Sequence, residues 1–384
     1  MLELDLGRDE ITYGTNIKII GVGGAGGNAI NTMIENNLTG VEFIAANTDI
    51  SDLKKSRAKL KLQLGKEKTG GLGAGADPEV GKLSAEESRE EVKKHLKGAH
   101  MIFIAAGMGG GTGTGAAPVI AALAKEMDIL TIGIVSRPFS YEGKKRMTNA
   151  EKGIEKLRGI LDTLIIFPND KLNELYSDMT VIDAFKQADN ILYEAAKAVS
   201  DIIHSSGFIK ADFADVKTIM SNKGLALMGS ATEEGDERAR KAANAAMKNP
   251  LLSDIILEDC PGILINITVG KDFKMEEFGI ITKEIGNKAG ENADIIQGII
   301  NDPGMQGKVK VTIIATGLSS HSDRAFKPQI IETIQDDKKE ELTEMFSRIR
   351  SSESNDLRKG SKKGKDYSGN LQMDIPAFMR KFSN

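Results

Sequence analysis

Between the apolar run Met101–Ala106 and an alanine-rich segment ending near Met127 stands Gly109-Gly110-Gly111-Thr112-Gly113-Thr114-Gly115, built of glycine and threonine alone. Without β-carbons, successive backbone N–H groups can turn inward on one point. Threonine hydroxyls add donors, and a helix starting within the run adds the positive end of its dipole. Strand, loop and helix in that order make a cradle for a highly charged anion, a phosphate chain above all. A turn that merely lets helix and sheet pack closely needs fewer glycines.

The rest of the chain supplies a frame for such a loop. Asn16–Val22 reads as a buried strand, Gly23–Gly27 as a loop, Ala29–Glu35 as a helix and Val41–Ala46 as a second strand. The alternation continues through strand Met101–Ala106, helix Gly113–Met127, strand Ile129–Ser136, helix Gly143–Leu161 and strand Thr163–Phe167. The predicted class is therefore α/β, a Rossmann-like parallel sheet with helices on both faces and ligands beyond the carboxyl ends of the strands. Over Thr180–His204, Val181, Phe185, Ala188, Leu192, Ala195, Val199 and Ile202 recur at helical spacing, which predicts one connecting helix of about 37 Å. Helix Asp236–Met247, strand Gly262–Val269, helix Met275–Ala289 and strands Asp294–Ile300 and Val309–Ala315 then describe a smaller α+β domain. The expected divisions are an extension over 1–15, a nucleotide domain over 16–179, the helix over 180–204, the α+β domain over 205–317, a linker over 318–372 and a terminal peptide over 373–384.

Several function classes fit poorly. Gly21-Val22-Gly23-Gly24-Ala25-Gly26 satisfies G-x-G-x-x-G and raises a nicotinamide- or flavin-dependent oxidoreductase. Such a site wants an acid at the end of the second strand, yet Val41–Ala46 is followed by Asn47 before Asp49, and the second glycine loop would have no use. The P-loop pattern G-x-x-x-x-G-K-[ST] is absent and neither loop holds a lysine, so phosphate charge must be balanced by amides, helix ends and Mg²⁺. A net charge of −4 and the lack of tryptophan speak against nucleic acid as the main partner. Cys260 stands alone, and His95, His100, His204 and His321 lack ligand spacing, so neither disulfide nor structural metal is expected. No run approaches the ~18 apolar residues of a membrane span, and Met1–Asp5 lacks signal-peptide character, which predicts a cytoplasmic protein.

Taken together, the loops resemble those of the tubulin/FtsZ family. Gly109–Gly115 is similar to its signature, Gly24–Asn28 to its first nucleotide loop, and Asn47-Thr48-Asp49 and Gly71–Ala76 to its second and third. The likeness runs from about Asn16 to Gly317 and returns at the C-terminus. It implies GTP or GDP held by Gly24, Ala25, Gly26, Gly27, Asn28, Asn47, Gly71, Ala74, Gly109, Gly110, Gly111, Thr112, Gly113, Thr114 and Gly115. It puts Glu142 and Arg146 at the ribose and phosphate side, whereas spacing alone makes them an ion pair on one helix face. Asn169, Phe185 and Asp189 match the residues that meet the base, the aromatic ring stacking on guanine while amide and carboxylate bond its edge. Guanine N1–H and N2–H suit a carboxylate that adenine would leave unpaired, hence GTP over ATP. Asn190 is the alternative to Asp189 for that contact.

Asp212-Phe213-Ala214-Asp215-Val216 resembles the loop that one family subunit inserts against its neighbour's nucleotide. Asp212 and Asp215 near a helix start project to one side and can orient water for attack on the γ-phosphate; helix capping is the plainer use, for which one aspartate suffices. Lys210 stands where the family carries asparagine, which leaves open a member that assembles with weak hydrolysis. The resemblance otherwise implies a GTPase activated by head-to-tail assembly into filaments of the bacterial division ring at midcell. Its terminal segment Asp374–Phe382 would dock membrane-tethering and regulatory division proteins, with Ile375, Phe378 and Met379 as anchors. In the linker, Leu342, Met345, Phe346 and Ile349 fall at helical spacing, so Lys338–Arg350 reads equally as a short amphipathic helix or as disorder, and Arg358–Lys365 as solvated chain.

Overall fold

A strand whose every residue is apolar must be covered on both faces, and Met101–Ala106 shows how this chain does it. Met101, Phe103 and Ala105 join a core on one side of the sheet, while Ile102, Ile104 and Ala106 point to the other and are equally buried. The computed structural model describes residues 14–318 except 177–178, 205–208, 210, 222–223 and 253–256. Lys210, the linker with its 338–350 segment and the terminal peptide lie outside the described residues.

The strands are β1 (Ile17–Val22), β2 (Val41–Asn47), β3 (Leu60–Gln63), β4 (Met101–Gly107), β5 (Leu130–Arg137), β6 (Thr163–Pro168), β7 (Gly224–Glu234), β8 (Gly262–Val269), β9 (Asp294–Asn301) and β10 (Lys308–Leu318). They form one ten-stranded sheet in the order β3-β2-β1-β4-β5-β6-β7-β10-β8-β9. Neighbours from β3 through β7 are parallel, β10 runs antiparallel between β7 and β8, and β9 is parallel to β8. The helices are α1 (Gly23–Glu35), α2 (Ile50–Lys55), α3 (Lys66–Thr69), α4 (Pro78–Glu87), α5 (Arg89–Leu96), α6 (Thr112–Glu126), α7 (Lys144–Arg158), α8 (Lys171–Leu175), α9 (Val181–His204), α10 (Phe213–Met220), α11 (Arg238–Met247) and α12 (Met275–Gly286).

The strand order reverses between β1 and β4. From β1 the chain crosses to β2 on one side, and from β4 to β5 on the other, so right-handed crossovers set α1 and α6 on opposite faces with a crevice between their starts. The predicted connecting helix is α9, and Leu192, Ala195, Val199 and Ile202 of its expected stripe are buried in the core shared with α1, while Ala188 is buried in a smaller cluster with Phe139, Phe167 and Leu172.

One expected loop is helical, and one strand stands where no element was expected. Gly23–Gly27, expected as a loop, forms the first turns of α1. The glycines serve contact here: a β-carbon on Gly26 would lie 2.3 Å from the Ala105 carbonyl oxygen, and one on Gly21 would lie 2.2 Å from that of Gly26. The helix can therefore start directly at the strand end. The unexpected strand is β7, Gly-Leu-Ala-Leu-Met-Gly-Ser-Ala-Thr-Glu-Glu, whose small residues and polar end carry little strand signal. Pairing with β6 on one side and β10 on the other supplies what the local pattern lacks, and this strand makes the sheet continuous.

Candidate functional site

The glycine loop after β4 is shaped by close approach on every side. A β-carbon on Gly113 would meet the Gly107 carbonyl oxygen at 2.5 Å, on Gly115 that of Pro78 at 1.9 Å, and on Gly111 the Ala74 methyl at 2.8 Å. Gly109 has φ +99°, and its N–H donates to Thr114 Oγ1 at 2.8 Å, which folds the loop back over the start of α6. The start of α1 abuts it, because a β-carbon on Gly23 would lie 2.9 Å from the Gly113 amide nitrogen. Neither α1 nor α6 has a side-chain cap or an acidic residue in its first turn. Two sets of helix-start amides thus face one crevice with no protein anion to satisfy them, which is the donor set a polyphosphate needs.

Residues 71–76 close the other side. Gly71 accepts from Ile50 N–H at 3.0 Å and the Thr48 carbonyl accepts from Gly73 N–H at 3.2 Å, so this loop is laced to the end of β2, where Asn47 is buried. Gly71 and Gly73 take φ +81° and +86°, while Ala74 is buried against Gly111. Thr48, absent from the predicted contacts, shares a 2.6 Å hydroxyl hydrogen bond with Thr112 and ties the second loop to the glycine loop. Its place directly after the second strand was the available signal. Ala25 is exposed, and Gly24, Gly27 and Asn28 are partly so.

Beyond the ends of β5 and β6 lies an apolar corner. Phe139, fully buried, stacks on Tyr141 at 4.8 Å and meets Phe185 edge-on at 5.2 Å, and Phe167, Leu172 and Ala188 complete the cluster. Phe139 was not foreseen as part of the site. Asn169 is held by its backbone, its N–H donating to the Arg137 carbonyl at 3.1 Å, yet its side-chain Oδ1 is buried with no hydrogen-bond partner among the described residues. Asp189 retains some exposure, but its carboxyl lies deep enough that desolvation holds it well above the usual aspartate range, and no described residue bonds it. An orphaned amide oxygen and an unpartnered carboxyl beside an aromatic edge suit a ligand that brings its own N–H donors. Asn190 is also partly exposed.

Glu142 and Arg146 were expected on one helix face. Instead Glu142 closes a 3-10 turn over Ser140–Glu142, Gly143 follows at φ +103°, and only then does α7 begin. The pair still forms, Arg146 Nε to Glu142 Oε2 at 3.3 Å, and Glu142 Oε1 accepts from Phe139 N–H at 2.9 Å. Desolvation raises the Glu142 carboxyl, opposed by Arg146 and the Phe139 amide and reinforced by Asp170. Arg146 sits against the glycine loop, since a β-carbon on Gly109 would meet its carbonyl oxygen at 2.8 Å.

Asp212 and Asp215 stand elsewhere. Asp212 occupies the N-cap position of α10 but its side chain caps nothing, so capping is not its use. Both carboxylates are exposed without hydrogen bond or ion pair among the described residues. The next residue, Phe213, touches His100 at a ring distance of 6.3 Å, and the far end of α10 accepts a bond from Thr163. His100 and Thr163 mark the amino ends of β4 and β6, whereas the glycine loop and Asn169 lie at the carboxyl ends. A seven-residue strand separates these edges, about 20 Å at 3.3 Å per residue.

Comparison with known proteins agrees over most of the chain. Residues 16–177 match the model of the Tubulin/FtsZ family GTPase domain, and residues 224–319 that of the FtsZ family C-terminal domain. The chain is 49% identical to the cell division protein FtsZ of Coxiella burnetii over 307 residues, 80% of each chain. Against the cell division protein FtsZ of Wolbachia it is 42% identical over 99% of this chain and all of the other. Among solved structures, the empty FtsZ dimer of M. jannaschii superposes with a TM-score of 0.77 at 39% identity, covering 80% of this chain and 89% of that one.

Proposed function

The chain belongs to the tubulin/FtsZ family, and on that premise we propose that its copies hydrolyse GTP jointly, joined head to tail in filaments that build the bacterial division ring. The observation that carries this reading is the ~20 Å of sheet between the glycine loops and Asp212 with Asp215. Hydrogen bonding and proton transfer act over about 3 Å, so one copy alone cannot bring acid and phosphate together. A second copy, stacked with its α10 against the glycine loops of the first, can. Such a contact joins unlike surfaces and repeats without closing, which makes filaments.

In this reading Gly24–Asn28 and Gly109–Gly115 turn amides on the phosphates, with Asn47, Gly71 and Ala74 closing the loop beside them. Arg146 supplies positive charge at the glycine loop while Glu142 orients it and meets the ribose side. Phe185 stacks on the base, and Asn169 and Asp189 receive its N–H donors. Asp212 and Asp215 of the neighbouring copy hold the attacking water and accept its proton. Among the described residues no group of three His, Cys, Asp or Glu could hold a metal unaided, so Mg²⁺ would be carried by the phosphates and offset their charge. Among the same residues no helix is long and apolar enough to cross a membrane, and we assign attachment at midcell to partners docked on Asp374–Phe382.

Phosphate release and right-angle light scattering, followed in one cuvette across a dilution series with GTP and Mg²⁺, test the reading. Turnover per subunit should rise steeply at the concentration where scattering appears. A rate per subunit independent of concentration overturns it.

A further inference from the structure

If hydrolysis needs α10 delivered to another copy, the mounting of α10 becomes part of the chemistry. The helix has eight residues, buries Val216, Ile219 and Met220, and begins without a side-chain cap. Apolar contact alone is non-directional and leaves so short a helix free to roll or slide. Directional bonds occur at its carboxyl end. Thr163 Oγ1 donates to the Met220 carbonyl, and Thr316 Oγ1 is shared between the carbonyls of Ile219 at 3.3 Å and Gly262 at 3.2 Å. Both threonines are buried. Thr163 opens β6, the strand that ends beside Asn169, and Thr316 lies on β10, two strands further along the sheet. The helix is therefore pinned from both sides of β7, by one hydroxyl from the nucleotide-binding half and one from the C-terminal half.

We propose that Thr163 and Thr316 are positioning residues for hydrolysis, fixing the register in which α10 offers Asp212 and Asp215 to the next copy. The inference rests on the joint-site reading above. Neither threonine reaches the nucleotide of its own chain, since both lie at the opposite edge of the sheet from the glycine loops. Their loss should thus spare binding and assembly while lowering turnover, because small misplacements of a reacting group reduce rate far more than affinity.

The test compares Thr163→Val, which keeps shape and removes the hydroxyl, with Thr163→Ser, which retains it. GTP affinity is read below the assembly threshold, polymer mass by sedimentation, and phosphate release per sedimented subunit. For the valine variant we expect affinity and polymer mass within about twofold of the parent and turnover lower by about tenfold, with serine restoring most of it. Parent-like turnover in valine polymers, or an equal loss in serine, overturns the proposal. Should Thr163→Val not fold, Thr316→Val is read in the same way and parent-like turnover again refutes. Asp215→Ala separates the two levels: if it keeps turnover, the joint-site reading itself fails; if it alone loses turnover, only the threonine assignment fails.

Discussion

Two inactive variants should make one active mixture. Asp215→Ala keeps the nucleotide loops but lacks an acid on α10, whereas Asp189→Ala keeps α10 but loses the carboxyl assigned to guanine. The ~20 Å between the two edges of the sheet means that each defect falls on a different partner in every contact. If the variants join at random in equal amounts, half of the nucleotide sites belong to Asp215→Ala chains, and half of those face an intact Asp215. About one quarter of all contacts are then competent, so phosphate release should recover to about a quarter of the parent rate. The assay holds GTP at a level that saturates the parent but not Asp189→Ala and measures phosphate release before and after mixing. A value below one quarter but well above either variant still fits, because chains with empty sites join less readily. A mixture no faster than the sum of its parts would show that acid and nucleotide belong to one chain, and the reasoning from the two edges would fall.

Replacing Asp189 by asparagine should stabilise the nucleotide-free protein while weakening GTP binding by about a hundredfold. The raised carboxyl contributes stability that is complete below the usual aspartate range and is lost as pH rises through the folded value, so the melting-temperature gain of Asp189→Asn should grow from acid to neutral pH. A constant gain refutes that origin. Arg238 is buried and holds Glu277 through Nε at 2.6 Å and Nη2 at 2.9 Å and Asp272 through Nη1 at 2.6 Å, so Arg238→Leu, which leaves two partly solvated carboxylates without their partner, should cost about 1–3 kcal/mol in denaturant unfolding. Arg238 holds the Glu277 and Asp272 carboxyls below the usual range, so their contribution is present above that range and lost as pH falls through the lowered values; the variant should lack this acid-side loss. Gly115→Ala, with its β-carbon 1.9 Å from the Pro78 carbonyl oxygen, should displace α4 at about 1–3 kcal/mol and lower the melting temperature, and an unchanged value would count against close packing there.

Much of this was legible along the chain, because β4, β5 and β6 are continuous apolar runs and α9 repeats its stripe over many turns, signals that local physics produces. The glycine and threonine run likewise marked a place where β-carbons are excluded, and Gly111, Gly113 and Gly115 do lie too close to neighbouring chain to carry one. Other features depend on partners distant in sequence. β7 is a strand because β6 and β10 flank it, α1 can start directly at the strand end because Gly26 brings no β-carbon against the Ala105 carbonyl, and Thr48 matters because it reaches Thr112. The aspartates mark the boundary most clearly. Sequence by itself determined that Asp212 and Asp215 stand near a helix start; only the tertiary structure decided that this helix lies a full strand length from the glycine loops, because which end of a sheet a residue occupies is set by strand direction and pairing, not by the residues beside it.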